Sequence, residues 1–308
     1  MPQEIIAIYG PKGGVGKSSI SANLSIAFAQ LKKRVIAVDL DLGGANLHVL
    51  LGIKDYKYSL DDFILKKITD LSEALIPTQI SNLKVICGGS QLPDIANLQY
   101  AQKVKIINHI IKLQSDIIIL DLAAGSSFNV VDFLFIANKG FIITTPEITS
   151  LINVYSVIKT SVFRWLELFF RTKKNQELIN LLQEAKDVKK NPHLATMDGF
   201  FKEASIIDIK IAEVAKNRVL KLKPLIIINR VQTKNDIAVG DVLHTLTAQY
   251  LGIGTDVIIT IPEDDAVRNS IKIMIPTLIK YPISPFSLSI KQLALKVLNQ
   301  LNTEGKVL

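Results

Sequence analysis

Two lysines bracket a glycine-rich turn near the start of the chain, Lys12-Gly13-Gly14-Val15-Gly16-Lys17-Ser18-Ser19, reached through Gly10-Pro11. These residue types at this spacing suit polyphosphate chemistry. Backbone N–H groups from Gly13 to Ser19 can wrap anionic oxygens, Lys17 can reach the outer phosphates, and the Ser18 hydroxyl can ligate a divalent cation. The run departs from G-x-x-x-x-G-K-[ST] in that Pro11 takes the first glycine position and Lys12 adds a second cation. Lys17 already serves a phosphate held within one chain, so Lys12 is surplus to that task.

Acidic residues follow at two strand-like ends. Asp39 and Asp41 close the run Val35-Ile-Ala-Val and precede Gly43-Gly44. Two carboxylates so placed could sense a terminal phosphate and its metal, a task that in phosphoryl transfer consists mostly of positioning and charge stabilisation. Ile117-Ile-Ile-Leu-Asp121 ends an apolar run in an acid suited to hold the metal, the Walker B pattern. Leu122-Ala-Ala-Gly125-Ser126 continues as a second switch whose glycine lets the backbone approach a phosphate. Late in the chain, Asn229 ends Ile226-Ile-Ile with an amide able to hydrogen-bond adenine beside Arg230. The loop Pro262-Glu263-Asp264 could turn its backbone toward the ring.

These residues need a scaffold that brings strand ends together. Continuous apolar runs at Ile5–Tyr9, Val35–Val38, Leu83–Ile86, Ile117–Leu120, Gly140–Thr144, Leu225–Ile228 and Val257–Ile261 read as strands buried on both faces. Helical patterns separate them: Ser19–Leu31, Leu60–Lys66 with a Ser59/Asp62 capping box, Gln99–Leu113, Phe128–Ala137, Ser150–Phe170, Gln176–Lys186, Gly199–Val219, Asp236–Leu251 and Ser287–Leu301. The alternation predicts an α/β fold, a mostly parallel sheet with helices on both faces. Residues 1–308 read as a single domain. Residues 165–223 exceed what a strand–helix–strand crossover needs, so they read as a helical insertion.

Composition narrows the setting. A hydrophobic fraction of 48% with 21% charged residues is that of a packed globular chain. No apolar run reaches a membrane span, and a cytoplasmic location is expected. Cys87 is the single cysteine, so no disulfide can form within the chain, nor can two chains supply four thiolates to an iron–sulfur cluster. The formal net charge is +8, and residues 151–224 hold 14 Lys/Arg against 8 Asp/Glu, leaving 22 against 20 elsewhere. This local excess suits an acidic surface such as DNA or anionic lipid, or a solvated helical face. The last helix, at about 287–301, sets Ile290, Leu293, Ala294, Val297, Leu298 and Leu301 on one face, a stripe that could dock on the sheet or lie on lipid.

The loop with its extra lysine, the Asp39/Asp41 and Asp121 segments, and the late Asn229 and Pro262–Asp264 resemble the MinD/ParA family of deviant Walker A P-loop ATPases over roughly residues 4–160 and 224–301. Asp41-Leu-Gly-Gly-Ala-Asn46 with Leu50-Leu-Gly52 most resembles its FlhG-like members, although those carry an N-terminal extension and here the first strand begins by Glu4. The resemblance implies ATP and Mg²⁺ bound between two subunits, with Lys12 reaching the partner's nucleotide. It further implies Asp39 near the Mg²⁺ shell, Asp41 positioning the attacking water, and slow hydrolysis stimulated by a protein partner. The implied role is a switch ATPase that places a cellular structure. A small-molecule ligase or kinase on the same scaffold, or a non-catalytic adaptor, stays open on the residues alone.

Overall fold

Alternate residues of the central strands feed two separate cores, and this makes the sheet the middle layer of three. Ile5, Ala7, Ile36, Val38, Ile118 and Leu120 pack on one face, while Ile6, Ile8, Val35, Ala37, Ile117 and Ile119 pack on the other. The computed structural model describes residues 3–89, 99–125, 131–133 and 136–304. Ser126 and half of the expected Phe128–Ala137 helix lie outside them.

The strands are β1 (Glu4–Tyr9), β2 (Val35–Leu40), β3 (Ile76–Pro77), β4 (Leu83–Ile86), β5 (Ile117–Leu122), β6 (Lys139–Thr144), β7 (Leu225–Val231) and β8 (Asp256–Pro262). Their spatial order is β3-β4-β2-β5-β1-β6-β7-β8, and every pairing is parallel except β3 with β4. The mostly parallel sheet expected from the apolar runs is therefore observed. Only β3 was missed, a two-residue edge strand too short to show a pattern. Parallel alignment puts the C-terminal ends of β1, β2, β5 and β7 along one edge, the side where open α/β sheets bind ligands.

The first helix, Lys17–Gln30, is buried over most of its circumference, with Ile20, Leu24 and Phe28 inaccessible and Leu31 at its end exposed. It is sandwiched between the sheet and the C-terminal helix Pro285–Glu304. That last helix buries Ile290, Leu293, Ala294 and Val297 completely, with Leu298 and Leu301 packed alongside. Its apolar stripe is thus docked on the protein and is not presented to a lipid surface.

Between β6 and β7 the chain runs through helices Ile148–Thr172, Gln176–Glu184, Met197–Ile207 and Ile209–Leu220. The expected continuous helix Gly199–Val219 is in fact two, broken at Asp208. Its extended backbone ends one helix, and its carboxylate accepts the Ile211 N–H at 3.0 Å to cap the next. The break had a local signal, an aspartate inside an apolar run. The Lys216–Asp198 ion pair at 3.8 Å shows the two helices folding back on one another. Part of the basic excess is neutralised internally: Arg164 and Arg171 both pair with Glu167, and Lys202 pairs with Asp198. Lys173, Lys174 and Lys189 remain exposed.

Candidate functional site

The loop Gly10–Gly16 turns sharply from β1 into the first helix because two glycines take conformations that other residues rarely adopt. Gly14 has φ +78° and Gly16 has φ +96°, and Gly16 is the N-cap of the helix with no side chain to cap it. The first N–H groups of the helix are left for an anion. Lys17 is only 7% exposed, and its stem folds across Gly10, where an added Cβ would come within 2.8 Å of Lys17 Cγ. Lys12, by contrast, is exposed. One lysine is built into the loop and the other stands at its rim.

Asp39 and Asp121 face each other in register across β2 and β5, both fully or almost fully buried. Asp39 braces the loop that follows it: its Oδ1 accepts the Asp41 N–H at 3.1 Å and its Oδ2 accepts the Leu47 N–H at 3.0 Å. Asp121 Oδ1 accepts the Ser21 hydroxyl at 2.8 Å, while its Oδ2 is buried with no hydrogen-bond partner. Burial pushes both carboxyl groups above the ordinary carboxylate range. For Asp39 the charge of Asp121 adds to the rise against the two N–H bonds, and for Asp121 the Ser18 and Ser21 hydroxyls and the Lys17 charge oppose it.

An orphaned anionic oxygen beside a serine hydroxyl and a second carboxyl group is a set of hard donors that fits Mg²⁺. No three His, Cys, Asp or Glu side chains among the described residues could hold a metal unaided. A cation here would therefore draw ligands from a bound phosphate, the usual arrangement for Mg²⁺.

Two adjoining cavities share Gly16, Ser19, Arg230 and Ile271. The larger, about 440 Å³, is walled by Gly13, Gly14, Lys17, Ser18, Asp41 and Ala124. The smaller, about 230 Å³, is walled by Asn229, Pro262, Glu263, Asp264, Arg268 and Phe286. The first is lined by groups able to bind phosphates, and the second by an amide and polar groups able to face a base. Of the loop residues named from the sequence, Lys12 and Val15 line neither cavity; Lys12 is exposed, and Val15 differs from it in being enclosed. It is buried beneath the turn and belongs to the core, with only its carbonyl engaged at the site.

A β-bulge explains how Asn229 reaches the loop. Arg230 sits in the left-handed region at φ +60°, and the β7–β8 register slips between Asn229 and Val231. Asn229 Nδ2 then donates to Val15 O at 2.8 Å, across 214 residues of sequence. The carbonyl of Val15 can only accept, so the amide nitrogen must face it and the acceptor Oδ1 is left for a ligand. Asp264 serves structure through its side chain, accepting the N–H groups of Ala266 at 2.9 Å and Phe286 at 3.0 Å. Phe286, Val267, Arg268 and Ile271 were not foreseen. The Asp264-Asp265 pair could have signalled the start of helix Asp265–Lys272, which carries three of them. Thr145-Pro146-Glu147, at the end of β6, lines neither cavity. Glu147 begins helix Ile148–Thr172 and accepts the Thr145 hydroxyl at 2.8 Å.

Comparison with known proteins agrees with this arrangement. Antiactivator FleN of Pseudomonas aeruginosa is 33% identical over 160 residues, 51% of this chain and 56% of that protein. Septum site-determining protein MinD of Helicobacter pylori is 34% identical over 148 residues, 48% of this chain and 54% of that protein. The chain thus spans about half the length of the curated relatives it matches. The solved structure of MinD from Pyrococcus horikoshii, complexed with Mg-ADP, superposes with a TM-score of 0.61 at 23% identity, covering 96% of both chains, a likeness of fold. The profile of the CobQ/CobB/MinD/ParA nucleotide binding domain matches residues 6–276. With the loop, the paired aspartates and the strand order already in place, the chain belongs to the CobQ/CobB/MinD/ParA nucleotide-binding domain family.

Proposed function

We propose that this chain is an ATP-dependent switch: it binds ATP with Mg²⁺, pairs with a second copy of itself, engages a surface or partner while ATP is intact, and is released by slow hydrolysis. The single observation that carries this reading is the division of labour between the two loop lysines. Lys17 is buried within its own loop, whereas Lys12, in the same glycine turn, is exposed to solvent, with the charge of Glu147 in its electrostatic surroundings and no hydrogen bond or ion pair among the described residues. A cation so placed is available to a nucleotide held by another copy.

In this reading Gly13, Gly14, Gly16, Ser19 and Lys17 hold the phosphates, Ser18 and Asp121 meet the cation, and Asp39 fixes the loop that carries Asp41. Asp41 orients the attacking water. Bound Mg²⁺ would supply charge stabilisation to the transferring phosphoryl group. Asn229 and the Arg230, Pro262, Glu263 and Asp264 backbone enclose the base. Relatives named for septum placement and for antiactivation support a role in positioning or regulating a cellular structure. A ligase or kinase would need a second pocket with converging polar groups opening onto the phosphates, and the two adjoining cavities are those of one nucleotide.

Sedimentation with Mg-ATP, Mg-ADP and no nucleotide tests the proposal. Wild type should dimerise only with ATP. Lys12→Ala should bind ATP as a monomer yet lose both dimerisation and turnover, and unchanged behaviour would refute the cross-subunit role. Co-sedimentation with DNA and with anionic vesicles, using charge reversals at Lys173, Lys174, Lys189 and Lys190, identifies the surface.

A further inference from the structure

Tyr9 ends β1 directly before the loop, yet its side chain belongs to the core on the opposite face of the sheet from the first helix, the core that also holds Leu122, Leu151 and Val154. The ring is inaccessible to solvent, and its hydroxyl donates to the carbonyl of Gly125. Gly125 has φ +106°, with open space where a side chain would stand, so its backbone draws no constraint from packing of its own. Its neighbour Ala124 lines the phosphate cavity together with Gly13, Gly14, Lys17 and Ser18. The tyrosine therefore connects the strand that carries the phosphate loop to the strand-end segment that lines the same cavity at Ala124.

We infer that Tyr9 is a positioning residue for the second switch: its hydroxyl, carried on a rigid ring fixed by the core, holds Gly125 so that the Ala124–Gly125 backbone stands ready for the terminal phosphate. The inference rests on the proposed ATP-switch reading. Its physical basis is preorganisation. A glycine with a free φ loses more freedom on ordering than any other residue, and a single donor from a rigid side chain removes that cost before the nucleotide arrives. An aromatic ring suits the task because it has only two torsions to fix. The ordinary role of a buried tyrosine, filling the core, would be served equally by phenylalanine. The hydroxyl is the part that acts on the switch.

The experiment compares wild type with Tyr9→Phe, which keeps the ring and removes the donor. Gly125 is half-buried, so water can satisfy its carbonyl and the variant should fold. Affinity for Mg-ADP should stay within twofold of wild type, whereas affinity for a non-hydrolysable Mg-ATP analogue should fall about five- to tenfold, as expected for one lost neutral hydrogen bond. ATP-dependent self-association should weaken in parallel. An unchanged ratio of ATP-analogue to ADP affinity overturns the role of Tyr9. A lowered melting temperature with that ratio intact assigns the hydroxyl to stability alone and also overturns it. Failure of wild type to bind either nucleotide would instead refute the ATP-switch reading.

Discussion

Asp39 and Asp121 occupy opposite positions on β2 and β5, two adjacent carboxyl groups buried on the side of the sheet that carries the phosphate loop. Such a pair is costly without a cation. Each charge is desolvated, and each raises the cost of ionising the other.

Asp121→Asn should therefore stabilise the protein without ligand. Asparagine keeps an oxygen for the Ser21 hydroxyl while removing one charge. The melting temperature should rise by a few degrees at pH 8 and less at pH 5. A carboxyl group whose folded-state pKa is raised contributes stability below its unfolded value, about 4, and loses it as pH climbs through the raised range. The same variant should lose the additional stabilisation that Mg²⁺ gives in the presence of ATP. Thermal melts over that pH range, with and without Mg²⁺, check both halves. A lower ligand-free melting temperature with the Mg²⁺ effect intact would refute the assignment.

In the proposed reading, the amide of Asn229 sets a preference among bases. With its nitrogen committed to Val15 O, its oxygen can accept from the amino group of adenine and is repelled by the carbonyl of guanine. An unsatisfied polar group costs about 1–3 kcal/mol, so ATP should bind roughly tenfold to a hundredfold tighter than GTP. Competition binding with the two nucleotides measures the ratio, and Asn229→Ala should reduce it toward unity. Equal affinities in wild type would mean that the base lies elsewhere.

The C-terminal helix offers an internal control for docking. Leu293 is fully buried against β8 and the first helix, while Leu295, two residues on, is 50% exposed. Leu293→Ala should cost about 2–5 kcal/mol and Leu295→Ala no more than about 0.5 kcal/mol. Urea unfolding curves give both values. Comparable losses would show that the helix is not seated as described.

Much of this arrangement could be read from the residues because the central strands are short, continuous and buried on both faces, so that Ile5–Tyr9 or Ile117–Leu120 resembles nothing else. The phosphate loop was equally legible, since Gly14 and Gly16 take backbone angles that other residues avoid. Legibility fell where side chains act at a distance. Nothing near Asn229 announces that a bulge at Arg230 will aim it at Val15, and nothing near Tyr9 points to Gly125. The Asp208 break was masked by the apolar residues on either side, whose pattern continues through it. Phe286 joins the base cavity only because Asp264 anchors its N–H, a contact between segments 22 residues apart.

The hydrogen bond from Asn229 to Val15 has a consequence for the order in which the protein acquires its ligand site during synthesis. The glycine turn leaves the ribosome well ahead of the amide that steadies it, which follows 214 residues later, and the lining of the second cavity is complete only with Phe286. A nascent chain thus carries a recognisable phosphate loop long before it can retain a nucleotide. A nucleotide spanning the two adjoining cavities would bridge the segment around Gly16 and the segments around Asn229 and Phe286, so occupancy would act as a non-covalent clasp that resists separation of the two halves of the sheet.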